Sequence, residues 1–177
     1  MKSRNPGEIR RDLTLKLLQR GREPVTGAEL AKRLGVSRQV VVQDIAILRA
    51  AGSEVVATPR GYLMLRPAGP AQRAMLACRH NRAETEAELT ILVDHGLRVV
   101  DVIVEHPLYG DLRGLLMLES RADVSEFIAR LERSGAGLLS ALTGGVHLHT
   151  VEATRVEAIE HARDDLRKRG ILLETGE

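Results

Sequence analysis

The clearest metal-binding spacing in the chain belongs to two histidines, His147 and His149, which flank a single residue in a β-prone run. Alternate residues of a strand leave the same face, so their α-carbons would lie about 6.6 Å apart and both could reach one metal ion. His80, at the end of an apolar run, and Glu88, in the first turns of a predicted helix, could complete the site. A continuous helix would separate that pair by about 12 Å, so the site requires a break from strand to helix, which Asn81 permits.

The ligand types in this set suit a divalent transition metal such as zinc, nickel or iron, without distinguishing among the three. The alternative is that His147 and His149 are an exposed strand pair and that His80 is a loop residue. The spacing alone leaves both interpretations open.

A second group of residues could read DNA. The pattern predicts a helix between Ser37 and Gly52, preceded by a shorter helix that ends at Gly35, and two helices joined in this way form a helix-turn-helix. In such a motif the N-terminal residues of the second helix reach base edges in the major groove. The outward positions there are Ser37, Arg38, Gln39, Val40 and Gln43.

The side chains at these positions suit contacts with double-stranded DNA. Gln39 and Gln43 lie one turn apart and could each address an adenine edge. Arg38 could reach guanine or a phosphate, and Val40 could meet a thymine methyl group. Arg60, at the tip of a predicted hairpin, could enter the minor groove or hold a phosphate. The alternative is a domain of this kind that binds another protein, with its charges solvated.

The charge distribution favours DNA. The chain has 177 residues and a formal net charge of only +2, but residues 1–66 carry 13 basic and 6 acidic residues, whereas the rest carries 13 basic and 18 acidic. The halves are therefore +7 and −5, which points to a basic DNA-reading part. A grip on DNA by one copy of about 66 residues would be weak, so a dimer on a two-fold site is implied.

Composition excludes several other classes. The aromatic residues Tyr62, Tyr109 and Phe127 are too few for a function built on base stacking. The single Cys78 excludes a disulfide framework and is typical of a small buried residue in a reducing compartment, so we expect a cytoplasmic protein. We also expect no membrane partner, because the longest uncharged stretch, 134–151, contains four glycines and two histidines.

The elements that carry the DNA-reading residues form a winged helix. Ile9, Leu13 and Leu17 recur at helical spacing and predict a first helix over 6–20, with these three residues facing inward. The third helix is predicted to bury Val41, Val42, Ile45 and Leu48. Two β-prone runs, 54–57 and 62–65, then predict a hairpin.

The second half predicts strand, helix, strand, strand, helix, strand, followed by a helix over 155–169 and a strand over 171–173. This order is typical of a split βαβ, ferredoxin-like fold with an added helix and strand. The fold class is therefore α+β. We expect a winged helix-turn-helix domain at 1–66 and a second domain at 71–177, joined by a linker at 67–70.

Several segments together resemble the niacin-responsive repressors of NAD biosynthesis, which pair a winged helix with a C-terminal three-histidine (3H) domain. The segments are 35–39 with 43–45, the predicted wing at 57–62, then 101–110 (DVIVEHPLYG) and 142–150 (LTGGVHLHT). The resemblance covers nearly the whole chain, and its second half is the more specific.

This resemblance implies a homodimeric bacterial repressor of NAD biosynthesis or niacin uptake genes, with operator DNA as partner and nicotinic acid as corepressor. The metal ligands of the family fall on His80, Glu88, His147 and His149. Because the family's ligand pocket lies near the metal, His106 and Tyr109 become candidates for contact with the effector. Phe127 looks like a core residue.

We expect a regulator rather than an enzyme, and predict no catalytic residues, because no separate general base, nucleophile or phosphate-binding loop is evident. Two alternatives remain. One is a metal-dependent enzyme acting on a small pyridine or nucleotide, since three histidines and a carboxylate could leave an open position for water. The other is a repressor that senses metal alone.

Overall fold

The computed structural model describes residues 5–21, 23–65 and 71–173. The chain divides into two compact units, 1–67 and 68–177, which are considered separately below. The predicted linker at 67–70 lies outside the described residues, so the domain bounds stay a prediction. Within the described ranges, no helix is both long enough and apolar enough to cross a membrane.

The first unit contains three helices and a two-stranded antiparallel sheet. They are α1 (Pro6–Arg20), α2 (Gly27–Leu34), α3 (Arg38–Ala50), β1 (Val55–Thr58) and β2 (Gly61–Met64). Side-chain oxygens of Asn5, Thr26 and Ser37 accept amide hydrogen bonds at the starts of the three helices, which fixes where each begins. The predicted order of helix, helix, helix and hairpin is therefore present.

The buried face of α1 differs from the prediction. Ile9 and Leu13 are each 47% exposed, and α1 instead buries Thr14 and Leu18. The buried stripe is shifted by one residue from the predicted one, because Arg10 lies one turn before Thr14 and turns toward α3.

The partner of Arg10 explains this rotation. Asp44 of α3 is buried, and its carboxylate accepts hydrogen bonds from Arg10 at 2.5 and 3.2 Å. A buried carboxylate needs a cation beside it, so α1 presents its arginine rather than its isoleucine. The predicted inner face of α3 contained only apolar residues and did not include Asp44. Val42, which was predicted to face inward, is exposed.

The second unit is a mixed α and β structure. Its elements are β3 (Gln72–Arg79), a 3-10 turn (Arg82–Glu84), α4 (Thr85–Asp94), β4 (Arg98–His106), β5 (Gly110–Leu118), α5 (Arg121–Ser134), a second 3-10 turn (Leu139–Thr143), β6 (Val146–Ala153) and α6 (Val156–Lys168). The sheet is antiparallel with the order β3-β6-β4-β5. Because β6 separates β3 from β4, the arrangement is a split βαβ, and the predicted α+β class is confirmed.

The predicted last strand, 171–173, is only a single bridge between Leu172 and Cys78. Two main-chain hydrogen bonds hold this segment on β3, one from Arg79 to Ile171 and one from Leu173 to Ala77. These two bonds are enough for a bridge but too few for a strand.

One face of the sheet packs against α4, α5 and α6. The buried side chains between the layers include Leu76, Leu89, Leu92, Val99, Leu118 and Val151. His147 and His149 leave β6 on this same inner face, because they alternate in step with Val151. The sheet therefore places both histidines under α4.

Candidate functional site

Four side chains from three parts of the second unit meet at the inner face of the sheet. Oε2 of Glu88 lies 2.6 Å from Nε2 of His80 and 3.3 Å from Nε2 of both His147 and His149. All four side chains are at most 3% exposed. We call these residues the three-histidine cluster. They are the four predicted as metal ligands, and the structure brings them together.

The break in the chain that this cluster requires occurs at Asn81. Its side chain accepts a hydrogen bond from the amide of Ala83, and the Glu84 carboxylate accepts one from the amide of Asn81. This reciprocal cap ends the extended segment after β3 and begins the 3-10 turn that leads into α4. His80 and Glu88 can therefore face each other although eight residues separate them.

The second ring nitrogen of each histidine is held by main chain. Nδ1 of His80 lies 2.7 Å from the Asn81 carbonyl, that of His147 lies 2.8 Å from the Gly145 carbonyl, and that of His149 lies 2.6 Å from the Asp101 carbonyl. A carbonyl only accepts, so each Nδ1 carries a hydrogen, and this tautomer is assigned from the hydrogen bonds. Each Nε2 is then free to present a lone pair or a second proton toward Glu88.

The electrostatics of the cluster follow from burial and from these contacts. Burial alone would raise the pKa of Glu88, but the three histidines outweigh it and hold that pKa well below its usual value. Burial would lower the pKa of His80 and His149, but the Glu88 carboxylate outweighs it and raises both. The charged carboxylate therefore stabilises positive charge beside it, which either protons or a metal ion can supply.

The donor set passes a chemical test for a metal. Metal-binding histidines usually donate the other ring nitrogen to a carbonyl or carboxylate, and here all three do. Three imidazoles and one carboxylate, all buried, match the nitrogen and oxygen ligands of divalent transition metals.

Cys78 was predicted only as a small buried residue, but its sulfur is a possible metal-binding atom beside the cluster. It is fully buried and pairs with His147 across β3 and β6. Ligand atoms of Cys78, Glu88 and His147 all lie within 4.8 Å of one another. Burial, reinforced by the nearby Glu88 charge, raises the pKa of the Cys78 thiol. Strand register brings Cys78 here, and the sequence pattern carries no signal for it.

A cavity of about 30 Å³ adjoins the cluster. Its walls include the three imidazoles and apolar side chains, among them Leu116, Phe127 and Leu138. Thr85 also lines it, and the buried Thr85 hydroxyl has no hydrogen-bond partner among the described residues. Phe127 thus lies at the site rather than only in the core, and Thr85 was not predicted.

An open groove of about 590 Å³ lies next to this cavity. The two share His80, Leu138 and Ser140 as lining residues, and the groove also contains Arg79 and Arg82. Positively charged side chains thus stand beside the buried cluster.

The structure does not bring His106 and Tyr109 to the cluster. They lie at the turn between β4 and β5, where Tyr109 is 70% exposed and its ring centroid is 4.9 Å from that of His106. His106 is four residues beyond Val102, which lines the cavity, a distance of about 13 Å along a strand. Their contact with an effector stays a prediction.

The residues predicted to contact DNA lie at the start of α3 and at the turn of the β1–β2 hairpin. Ser37, Arg38, Gln39 and Gln43 are exposed, whereas Val40 and Arg60 are half-buried. The Arg38 side chain packs close to Gly27 at the start of α2. The positions are those at which a recognition helix reaches base edges, and their contacts with DNA stay a prediction.

A winged helix with a basic surface, followed by a unit that holds a buried histidine and carboxylate cluster, defines a two-unit DNA-binding regulator. Comparisons with known proteins agree. Residues 10–63 match the HTH domain family, and residues 73–175 match the 3H domain family.

Two curated relatives extend over nearly the whole chain. The probable transcription repressor NiaR of Thermotoga maritima is 46% identical over 162 residues, which is 92% of each chain. The transcription repressor NadR of Bacillus subtilis is 42% identical over 170 residues, 94% of each chain. The chain therefore belongs to the family of transcription repressors with an HTH and a 3H domain. The predicted family is confirmed, as is the prediction of a regulator rather than an enzyme.

Proposed function

We propose that this protein represses genes of NAD biosynthesis or niacin uptake, with nicotinic acid as corepressor and a divalent transition metal in the three-histidine cluster. Residues 1–66 would bind operator DNA and residues 71–177 would sense the ligand, in a homodimer in the cytoplasm. The observation that carries the proposal is the cluster itself, in which three carbonyl-held imidazoles face one buried carboxylate.

The metal would be held by Nε2 of His80, His147 and His149 and by the Glu88 carboxylate. When bound, zinc, nickel or iron supplies a positive charge that balances Glu88 and a position at which a carboxylate or pyridine nitrogen can bind. The main-chain acceptors keep each Nδ1 protonated, so each Nε2 presents its lone pair when the ring is neutral.

The effector would bind beside the cluster. The cavity has room for about two water-sized groups, too little for a pyridine ring, so the segment at Leu138 and Ser140 that separates it from the groove must move. The Thr85 hydroxyl can donate to the ligand, and Phe127 can contact its ring. Arg79 and Arg82 line the groove on the other side of that segment and favour an anionic ligand. For His106 and Tyr109 to contact the effector as predicted, the β4–β5 turn that carries them would have to reach the ligand.

Repression would depend on two states of the dimer. Nicotinic acid raises operator affinity only if it binds more tightly to the state that spaces two α3 helices about one DNA turn apart. In that state Arg38, Gln39 and Gln43 would contact bases or phosphates, with Ser37 and Val40 beside them and Arg60 at the adjacent groove.

A titration of operator DNA, followed by fluorescence anisotropy, tests the proposal in four conditions: chelator, zinc, nicotinic acid, and both. We expect tight binding only with both. If metal alone saturates operator binding and nicotinic acid adds nothing, the protein is a metal sensor. Unchanged affinity in all four conditions would remove both ligands from the mechanism.

Two variants locate the ligands. Elemental analysis should show that His147→Ala contains less metal than the wild-type protein. Equal metal content in the variant and the wild type would remove the proposed site. Thr85→Val keeps the shape of the side chain and removes its hydroxyl, so it should weaken the response to nicotinic acid and leave stability nearly unchanged. Thr90→Val on the same helix, outside the cavity, is the matched control.

A further inference from the structure

An ion pair with a buried carboxylate lies on the opposite side of the sheet from the three-histidine cluster. Asp101 of β4 is fully buried, and it pairs in register with Thr150 of β6. Neighbouring residues of a strand point to opposite faces, so the Asp101 side chain leaves the face away from His149. Arg113 of β5 lies on that outer face and is half-exposed, and its Nε is 2.5 Å from Asp101 Oδ2.

The main chain of the same residue contacts the cluster. The Asp101 carbonyl accepts the hydrogen of His149 Nδ1 at 2.6 Å. Its carboxylate Oδ1 accepts the amide of Thr150, the residue after His149, at 3.0 Å. Asp101 therefore contacts His149 through its main chain and the next residue of β6 through its side chain.

A β-bulge explains why this residue can do both. The register of β4 shifts between Val99 and Asp101 against both neighbouring strands. In a regular antiparallel pair, strand amides donate to carbonyls of the neighbouring strand. At the bulge the Thr150 amide uses the Asp101 carboxylate, which leaves the Asp101 carbonyl available to the imidazole.

We infer that Asp101, held by Arg113, is a positioning residue that fixes the tautomer and orientation of His149 for metal binding. The carboxylate accepts the Thr150 amide at 3.0 Å, and the contact with Arg113 holds that carboxylate in place. Without it, the Thr150 amide and His149 Nδ1 both turn to one carbonyl. The inference rests on the metal site proposed above. It adds a residue whose side chain lies on the far face of the sheet and would not itself bind the metal.

The competing explanation is that the ion pair only stabilises the sheet. A matched control separates the two, because Arg98 also lies on β4 and pairs with Glu119 at 2.6 Å and Glu152 at 3.5 Å. No hydrogen bond of the described residues joins Arg98 to the cluster. Arg98→Gln should therefore reproduce the loss of a sheet ion pair without disturbing His149.

The first measurement is zinc affinity of the full chain, by competition with a chromophoric chelator. Loss of an outer contact typically weakens metal binding by about 10 to 100-fold. Asp101→Ala keeps the carbonyl and only removes what positions it, so we expect a loss of about 10-fold for Asp101→Ala and a smaller one for Arg113→Gln. Asp101→Asn keeps an acceptor for the Thr150 amide and should fall between Asp101→Ala and the wild type. Arg98→Gln should stay near the wild-type value.

The second measurement needs no metal. Long-range ¹H–¹⁵N NMR of the metal-free protein reports whether Nδ1, Nε2 or both nitrogens of His149 carry a proton. We expect the Nδ1 proton in the wild type and in Arg98→Gln, and its loss or exchange with the other tautomer in Asp101→Ala. If Asp101→Ala fails to fold, Asp101→Asn decides the question by the same two measurements.

The two measurements also separate this inference from the proposed function. A wild-type protein that binds no zinc would overturn the metal site, and the NMR result would still show whether Asp101 sets the tautomer. Zinc affinity and a His149 tautomer in the Asp101 variants equal to those of Arg98→Gln would overturn the positioning role and leave the metal site standing.

Discussion

Gly145 gives the sharpest test of how the cluster is built. Its φ is +94°, and its carbonyl accepts hydrogen bonds from Nδ1 of His147 at 2.8 Å and from the amide of His80 at 3.4 Å. A Cβ added at this position would lie 2.3 Å from the carbonyl oxygen of His80, closer than such contacts occur. Gly145→Ala must therefore push apart two segments that carry two of the four cluster residues.

The neighbouring Gly144 is a matched control. It also has a positive φ, +61°, but a Cβ there would meet no atom within 4 Å. Gly144→Ala should therefore carry only the left-handed backbone cost of about 1–2 kcal/mol. Gly145→Ala adds an overpacking cost of about 1–3 kcal/mol, for a total loss of about 2–5 kcal/mol in the free energy of unfolding. It should also weaken zinc binding by about 10-fold or more, because the Nδ1 acceptor of His147 moves.

Urea denaturation of the metal-free chains measures the stability difference, and chelator competition measures zinc affinity. We expect Gly144→Ala to bind zinc like the wild type and Gly145→Ala to lose both stability and affinity. Equal stability and equal zinc affinity in the two variants would refute the reasoning, since the close contact with His80 and the carbonyl that holds His147 belong to Gly145.

Other contacts give further testable outcomes. Asp44→Asn should lower the free energy of unfolding by about 2 kcal/mol in urea denaturation, because it removes the charge that pairs α1 with α3; an unchanged midpoint would contradict that role. In operator titrations, Gln43→Ala should cost about 1–3 kcal/mol at one base pair and leave the salt dependence unchanged, whereas Arg60→Ala should lower the salt slope by about 1 if it holds a phosphate. The metal-free cluster should stabilise the chain most between pH 4.5 and 6.5, the ordinary pKa values of Glu and His. The pKa values of His80 and His149 are raised, so their contribution to stability is lost as the pH rises through the raised values. The pKa of Glu88 is lowered, so its contribution is lost as the pH falls through the lowered value. With zinc bound, stability should instead rise with pH above 6.5, because the metal displaces the imidazole protons. A thermal midpoint that does not vary with pH in the presence of chelator would contradict the prediction for the metal-free cluster.

His147 and His149 could be predicted as a pair because the information that locates them on one face is local. Strand alternation places His147 and His149 on one face whatever the rest of the chain does. The break at Asn81 could be foreseen because an asparagine before a short turn is a common cap. The fold had to supply the rest, by pairing β3 with β6 and by bringing Glu88 to His147, 59 residues away.

The buried face of α1 could not be predicted in the same way. Ile9, Leu13 and Leu17 form a regular apolar stripe, yet Ile9 and Leu13 are exposed and the helix buries Thr14 and Leu18. Leu17 alone of the three packs against the core, and it is only partly buried. The deciding interaction is between Arg10 and Asp44, 34 residues apart, and helical periodicity carries no information about it.

The surroundings of the cluster depend on strand register and were not predictable either. Cys78 reaches Glu88 because it is paired with His147, and Asp101 reaches His149 because of a bulge. Thr85 and Phe127 meet at one cavity although they lie on different helices. Spacing along the chain therefore identifies ligands on one strand better than it identifies what touches them.

One segment links the proposed effector site to the metal ligands. The 3-10 turn at 139–143 lines the cavity and the groove, and the Ser140 carbonyl accepts the amide of Gly145 at 2.8 Å. Gly145 in turn holds His147 and His80. An effector that enters by displacing Leu138 and Ser140 would pull on the main chain that orients two of the three histidines. The affinities for metal and effector would then be coupled through one short segment, so each ligand should change the affinity of the other by the same factor.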